Sequence, residues 1–92
     1  MTAPALAAEL FINGTTTASL MALDTVSRVR KRCAGLSVRV IDVRRDPSTA
    51  ESRNVMAVPT LIMSSGDSET RLVGDFTDSD VERRLGRVQR KD

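Results

Sequence analysis

The sequence predicts an α/β fold in the order βαβαββα, with a mixed four-stranded sheet running 2-1-3-4 and helices on both faces. Three observations carry it. A short apolar run closed by Asn13-Gly14 is followed by an amphipathic stretch of helical period. The segment Leu36 to Val43 is apolar at both alternating sets of positions, as a parallel strand covered on both faces would be. Two further strand-like runs, separated by Ser65-Gly66-Asp67, then lead into a last segment of helical period. Two parallel strands with a helical crossover, then a hairpin and a closing helix, leave few other arrangements open.

Taken in order, Ala7 to Asn13 supplies the first strand, over about Glu9 to Ile12, and Asn13-Gly14 turns the chain. Thr15-Thr16-Thr17 offers hydroxyls for a helix N-cap, and Ala22, Val26, Val29 and Cys33 recur at spacings of four, three and four. Arg28, Arg30, Lys31 and Arg32 lie toward the negative end of that helix, Asp24 lies toward its start, and Gly35 follows as a C-cap. Leu36 to Val43 forms the second strand. Asp46-Pro47 is an N-cap followed by proline at the first helical position, opening a short helix from Ser48 to about Val55. The third strand starts at Val58-Pro59-Thr60-Leu61-Ile62-Met63 and the fourth covers about Thr70 to Val73. Gly74-Asp75-Phe76 ends it. Thr77 and Asp80 have capping-box spacing, and Val81, Leu85 and Val88 line the final helix. The whole chain, 1–92, reads as a single domain with its core over about residues 7–90.

Composition excludes several function classes. A net charge of +2, from 14 basic and 12 acidic side chains, is too small to point to nucleic acid or an anionic membrane. The absence of histidine rules out a Ser-His-Asp triad and a histidine metal site, and the scattered carboxylates lack metal-site spacing. Dithiol chemistry needs an activated thiol, and the segment Gly14 to Ala18 ahead of the first helix has none. The lone Cys33 lies at the far end of that helix on its apolar stripe, where the dipole disfavours thiolate, and reads as a buried structural thiol. It needs no oxidising compartment, the N-terminal residues do not resemble a signal peptide, and a cytoplasmic setting is expected.

Val58-Pro59-Thr60-Leu61 resembles the cis-proline signature of thioredoxin-like domains. Further strings narrow the resemblance: Leu10-Phe11-Ile12-Asn13-Gly14, Ser19, Ala22-Leu23, Val40-Ile41-Asp42-Val43 with Pro47 and Ala50, Pro59-Thr60-Leu61, and Gly74-Asp75-Phe76-Thr77-Asp78. In order and nearly in spacing these resemble the KaiB family of circadian-clock proteins, over roughly residues 9 to 88. The matching positions Asn13, Gly14, Asp42, Pro47, Pro59, Thr60, Gly74 and Asp75 are the family-motif residues. The resemblance implies a non-enzymatic regulator of biological rhythms or related signalling, without cofactor or metal. Its implied protein partner is a ring-shaped KaiC-like ATPase or a signalling kinase. Where clock members carry basic residues on the first helix and just after Pro-Thr-Leu, Met21 and Met63 stand here, and a plain turn, Ser64 to Ser68, replaces a proline-rich one. Some family members refold in their C-terminal half; Val81 to Val88 is a conventional helix, and a stable thioredoxin-like state is expected.

The second strand lies at an open edge in the expected sheet order. Its unpaired backbone groups, with Arg39, Arg44 and Arg45, form a candidate partner-binding edge. The alternative is a module that binds glutathione or a peptide around Val58-Pro59, with a hydroxyl from Ser19 or Thr17 and weak transferase activity. Asp75, Asp78 and Asp80 read as N-terminal helix acids rather than a cation site, and Arg83, Arg84, Arg87, Arg90 and Lys91 as a solvated basic face.

Overall fold

The computed structural model describes residues 6–89. Its elements are β1 (Leu6–Ile12), α1 (Thr17–Arg32), β2 (Leu36–Asp42), α2 (Pro47–Ser52), β3 (Thr60–Ser65), β4 (Ser68–Val73) and α3 (Asp78–Gln89). The sheet runs β2-β1-β3-β4, as expected. β2 is parallel to β1, with Leu10 opposite Val40; β3 is antiparallel to β1 and β4 to β3.

Alternation along the strands divides the core. Leu6, Ala8, Leu10 and Ile12 of β1 join Leu61 and Met63 of β3 under α1 and α3, which contribute Ala22, Val26, Val29, Val81, Leu85 and Val88. The opposite face carries a smaller cluster, Phe11, Ile41 and Ile62, covered by Ala50 of α2 and edged by Val43, Val55 and Val58. Helices therefore lie on both faces, but α2 covers only part of its side.

The caps follow the sequence closely. Thr16 Oγ1 accepts from Ser19 N at 3.3 Å to start α1. Asp46 accepts from Thr49 N at 3.2 Å and from Thr49 Oγ1 at 2.7 Å, and Pro47 takes the first turn of α2. The Thr77/Asp80 box is reciprocal: Thr77 N donates to Asp80 Oδ2 at 2.9 Å and Asp80 N donates to Thr77 Oγ1 at 3.1 Å.

Several boundaries differ from expectation. β1 begins at Leu6 rather than near Glu9, because pairing with both neighbours runs back to Leu36 and Ser65. α2 stops at Ser52 rather than near Val55. Asn54 takes a left-handed φ of 57°, Val55 N donates to Ala50 O at 2.9 Å and Asn54 N donates to Glu51 O at 3.1 Å. That is a Schellman ending, with the expected apolar contact between Val55 and Ala50. β4 begins at Ser68 rather than Thr70, since the two-residue turn Gly66-Asp67 lets Ser65 pair Ser68 directly. β3 begins at Thr60, just after a cis Val58-Pro59 peptide bond. At the end of α1 the C-cap is Cys33, and Gly35, with φ 92°, lies beyond it.

Candidate functional site

All eight motif residues converge on one pole of the sheet. β1 and β2 end there, α2 begins there, and the antiparallel β3 begins and β4 ends there. Asn13 N donates to Ser19 Oγ at 3.0 Å. Gly14 takes φ 53°, a conformation L side chains rarely adopt, and a Cβ there would push aside the exposed Arg44 guanidinium. Asp42 accepts from Arg44 N at 3.0 Å and from Arg44 Nη2 at 3.2 Å, and Arg44 with the Gly14 N–H holds its carboxyl below the usual carboxylate range. Gly74 N donates to Pro59 O at 2.9 Å, joining the last two motif strings. Buried Thr60 donates its hydroxyl to Ala57 O. Asp75 is exposed. These contacts fix loops against strand ends, and they supply neither an acid–base pair nor an activated nucleophile.

Two corrections concern this pole. Ser19 is fully buried and its hydroxyl is engaged by Asn13, so it cannot offer an oxygen to a ligand beside Pro59. Met63 is fully buried in the core between β1 and α1/α3, so only Met21, 58% exposed, stands at the surface of the two methionines matched to basic positions. The pole also exposes Leu20, Met56 and Val73, with Met56 at 94%; nothing in their local sequence pattern marked them as surface residues. Cys33 is half-buried at the C-cap of α1 and packs against the main core, remote from the N-terminal end where a thiolate would be stabilised. Among the described residues there is no cluster of three metal-ligating side chains, and no helix is long and apolar enough to cross a membrane.

Asp78, of the acidic trio, is a bridging acid. Arg28 donates to it at 2.9 Å and Arg32 at 3.1 Å, while Arg32 also donates to Glu82 at 3.0 Å and Arg28 also pairs with Asp24. The two guanidiniums hold the Asp78 carboxyl at about 2. This clasp ties α1 to α3. Arg90 and Lys91 lie outside the described residues, whereas Arg83 stands 3.6 Å from Asp80.

The two edges of the sheet are unequal. On β4, Arg84 of α3 reaches across and donates to Thr70 Oγ1 at 2.8 Å and to Arg71 O at 3.2 Å, occupying one backbone acceptor of that strand. On β2, no side chain of the described residues bonds to the backbone of Val38 or Val40. Contrary to the two-sided coverage expected, Val40 is 47% exposed and Ser37 and Arg39 face solvent, because α1 lies inboard of β2 and α2 reaches only Ile41. Beside Val38 and Val40 runs a slot of about 140 Å³ lined by Leu10, Leu23, Val26 and Arg30. Of the three arginines named for this edge, Arg44 braces Asp42, Arg39 is 63% exposed and 3.9 Å from Glu9, and Arg45 forms no ion pair among the described residues. The structure thus brings an unpaired strand edge, an apolar slot and two outward-facing cations together.

The family model described as "KaiB domain" matches residues 9–88. Circadian clock protein KaiB3 of Synechocystis sp. is 30% identical over 74 residues, covering 78% of this chain and 72% of that protein. Circadian clock oscillator protein KaiB of Prochlorococcus marinus subsp. pastoris is 32% identical over 72 residues, covering 76% and 67%. Among solved structures, a point-mutant thioredoxin from Halobacterium salinarum superposes with a TM-score of 0.84 at 17% identity, covering 97% of this chain and 79% of that one. Chloroplastic thioredoxin z gives 0.82 at 16%, covering 92% and 79%. The structural likeness defines the fold as thioredoxin-like.

Proposed function

The chain belongs to the KaiB family, and from that premise we propose that it is a non-enzymatic regulator that docks on a KaiC-like ring ATPase through the open edge of β2. The observation that carries this reading is the middle of the β2 edge, where Val38 and Val40 keep their outward backbone groups unpaired among the described residues beside an apolar slot, with Arg39 and Arg45 exposed nearby. An extended segment of the partner adds to β2, and the ladder of main-chain hydrogen bonds gives it affinity. Arg39 and Arg45 meet acidic side chains on the partner, which steers the encounter and makes it salt-dependent. The reading places the protein in the cytoplasm, with a signalling kinase as the other partner the same edge would serve.

The test is a pull-down and a binding titration with the KaiC-like ATPase of the same genome, beside a glutathione titration. Saturable ATPase binding, weakened about tenfold or more by Arg39→Glu with Arg45→Glu, supports the reading; each lost interfacial charge pair is worth about 1 kcal/mol or more. Saturable glutathione binding without ATPase binding would contradict it and revive a ligand site around Pro59.

A further inference from the structure

We infer that the slot between α1 and the outer half of β2 is a binding site for a small monocarboxylate with an apolar body of about six carbons. The inference does not rest on the ATPase reading. It starts from a gap that the sequence leaves in the packing of α1. Leu23, Val26, Ser27 and Arg30 lie three and four positions apart in turn, so they share the flank of α1 that faces β2. Leu23 and Val26 pack on the main core. Ser27, one turn beyond Leu23, is short where a leucine would close the gap to Val38 and Val40. Fully buried Leu10 of β1 forms the floor. About 140 Å³ is left unfilled among these apolar side chains, open to solvent beside Val40, which is 47% exposed. Packed seams hold few voids larger than a water molecule, and this one is several times that size.

Size sets the body of the guest. A cavity of about 150 Å³ lined by Leu, Ile and Phe accommodates benzene, so this slot takes about six carbons. Its shape favours a chain over a ring. β1 and β2 are parallel, so the crossover helix α1 runs opposite to β2, which puts Leu23 by Val40 and Arg30 by Val38. From Leu23 to Arg30 the helix rises about 10 Å.

Polarity sets the head. Ser27 and Arg30 are the polar side chains of the lining, and neither makes a side-chain hydrogen bond or ion pair among the described residues. No acidic side chain lines the slot. α1 ends in Arg30, Lys31 and Arg32, of which Arg32 is committed to Asp78 at 3.1 Å and Glu82 at 3.0 Å. The remaining two cations outweigh the negative end of the helix dipole. A carboxylate answers this arrangement: the Arg30 guanidinium offers two parallel N–H donors to its two oxygens, and the Ser27 hydroxyl adds a third donor. The alkyl chain then runs over Leu10 toward Leu23 and Val40. A strand added at β2 would turn the side chains opposite Val38 and Val40 toward the mouth of the same slot, so carboxylate and strand compete for it. A ligand of about eight non-hydrogen atoms binds such a site with a dissociation constant on the order of 1 mM.

An NMR titration of the amide resonances with sodium hexanoate to about 20 mM, at neutral pH and fixed ionic strength, reads the prediction. Saturable shifts centre on Leu23, Ser27, Arg30, Val38 and Val40; butanoate binds more weakly, and hexylammonium chloride produces none of these shifts. Arg30→Ala weakens hexanoate binding about tenfold or more. Ser27→Leu fills the gap, abolishes binding and raises the melting temperature, which separates loss of the site from loss of the fold. Absence of a saturable shift, shifts of equal size with hexylammonium, or binding that both variants leave intact overturns the inference. None of these readouts contains the ATPase, so such a failure leaves the proposed function standing and the slot free for a side chain of an added strand.

Discussion

Asn54, Ser19 and Met63 show how single residues set the details of this fold. Asn54 ends α2 in the left-handed region at φ 57°, a conformation that costs an ordinary L-residue about 1–2 kcal/mol and that Asn and Gly tolerate. Asn54→Ala should therefore lower the unfolding free energy by about 1 kcal/mol while Asn54→Gly leaves it unchanged or raises it, in matched urea titrations. The single residue that ends α2 was visible in the sequence, but the apolar Val55 just beyond it extended the helical pattern past the true stop. Ser19 was readable as a motif residue but not as the acceptor for Asn13 N, because that bond depends on how α1 folds back over the end of β1. Met63 looked like a substituted surface position until the pairing of β3 put it in the centre of the sheet.

At the scale of elements, the final helix is held by two devices of different legibility. The Thr77/Asp80 box is local, so spacing alone announced it; Thr77→Ala should cost about 1 kcal/mol, measured by thermal or urea unfolding. The Arg28–Asp78–Arg32 clasp joins residues about fifty positions apart, and Arg84 ties α3 to β4 by reaching a backbone carbonyl, so neither left a trace in sequence periodicity. The clasp has a pH signature. The Asp78 carboxyl is lowered from 3.8 to about 2 by Arg28 and then Arg32. Its stabilising contribution is therefore complete above about 4 and is lost as pH falls toward 2, since the unfolded chain takes up the proton first. Wild type and Asp78→Asn should differ in melting temperature at neutral pH and converge near pH 2. A constant offset across that range would contradict the assignment. High salt should also narrow the difference, because the pairs are solvent-exposed.

For the whole molecule, element order and strand order were legible because each strand or helix announces itself by period and each turn by Gly, Asn or Pro. The same strand order puts β2 at an edge from sequence alone. What sequence could not show is that Arg84 takes a backbone carbonyl of β4, that α2 leaves Ser37 and Arg39 uncovered, and that Arg44 is committed to Asp42 while Arg39 and Arg45 face outward. Those facts narrow the β2 edge proposed for docking to Val38, Val40 and the two outward arginines. Amide hydrogen exchange on the protein with and without the KaiC-like ATPase tests that claim most directly. The account predicts slowed exchange at Val38 and Val40, whose N–H groups face outward, with Arg39 and Ile41, already bonded to β1, and all of β4 little changed. Protection confined to β4, or to the Met56 and Val73 pole with Val38 and Val40 exchanging as before, would contradict it.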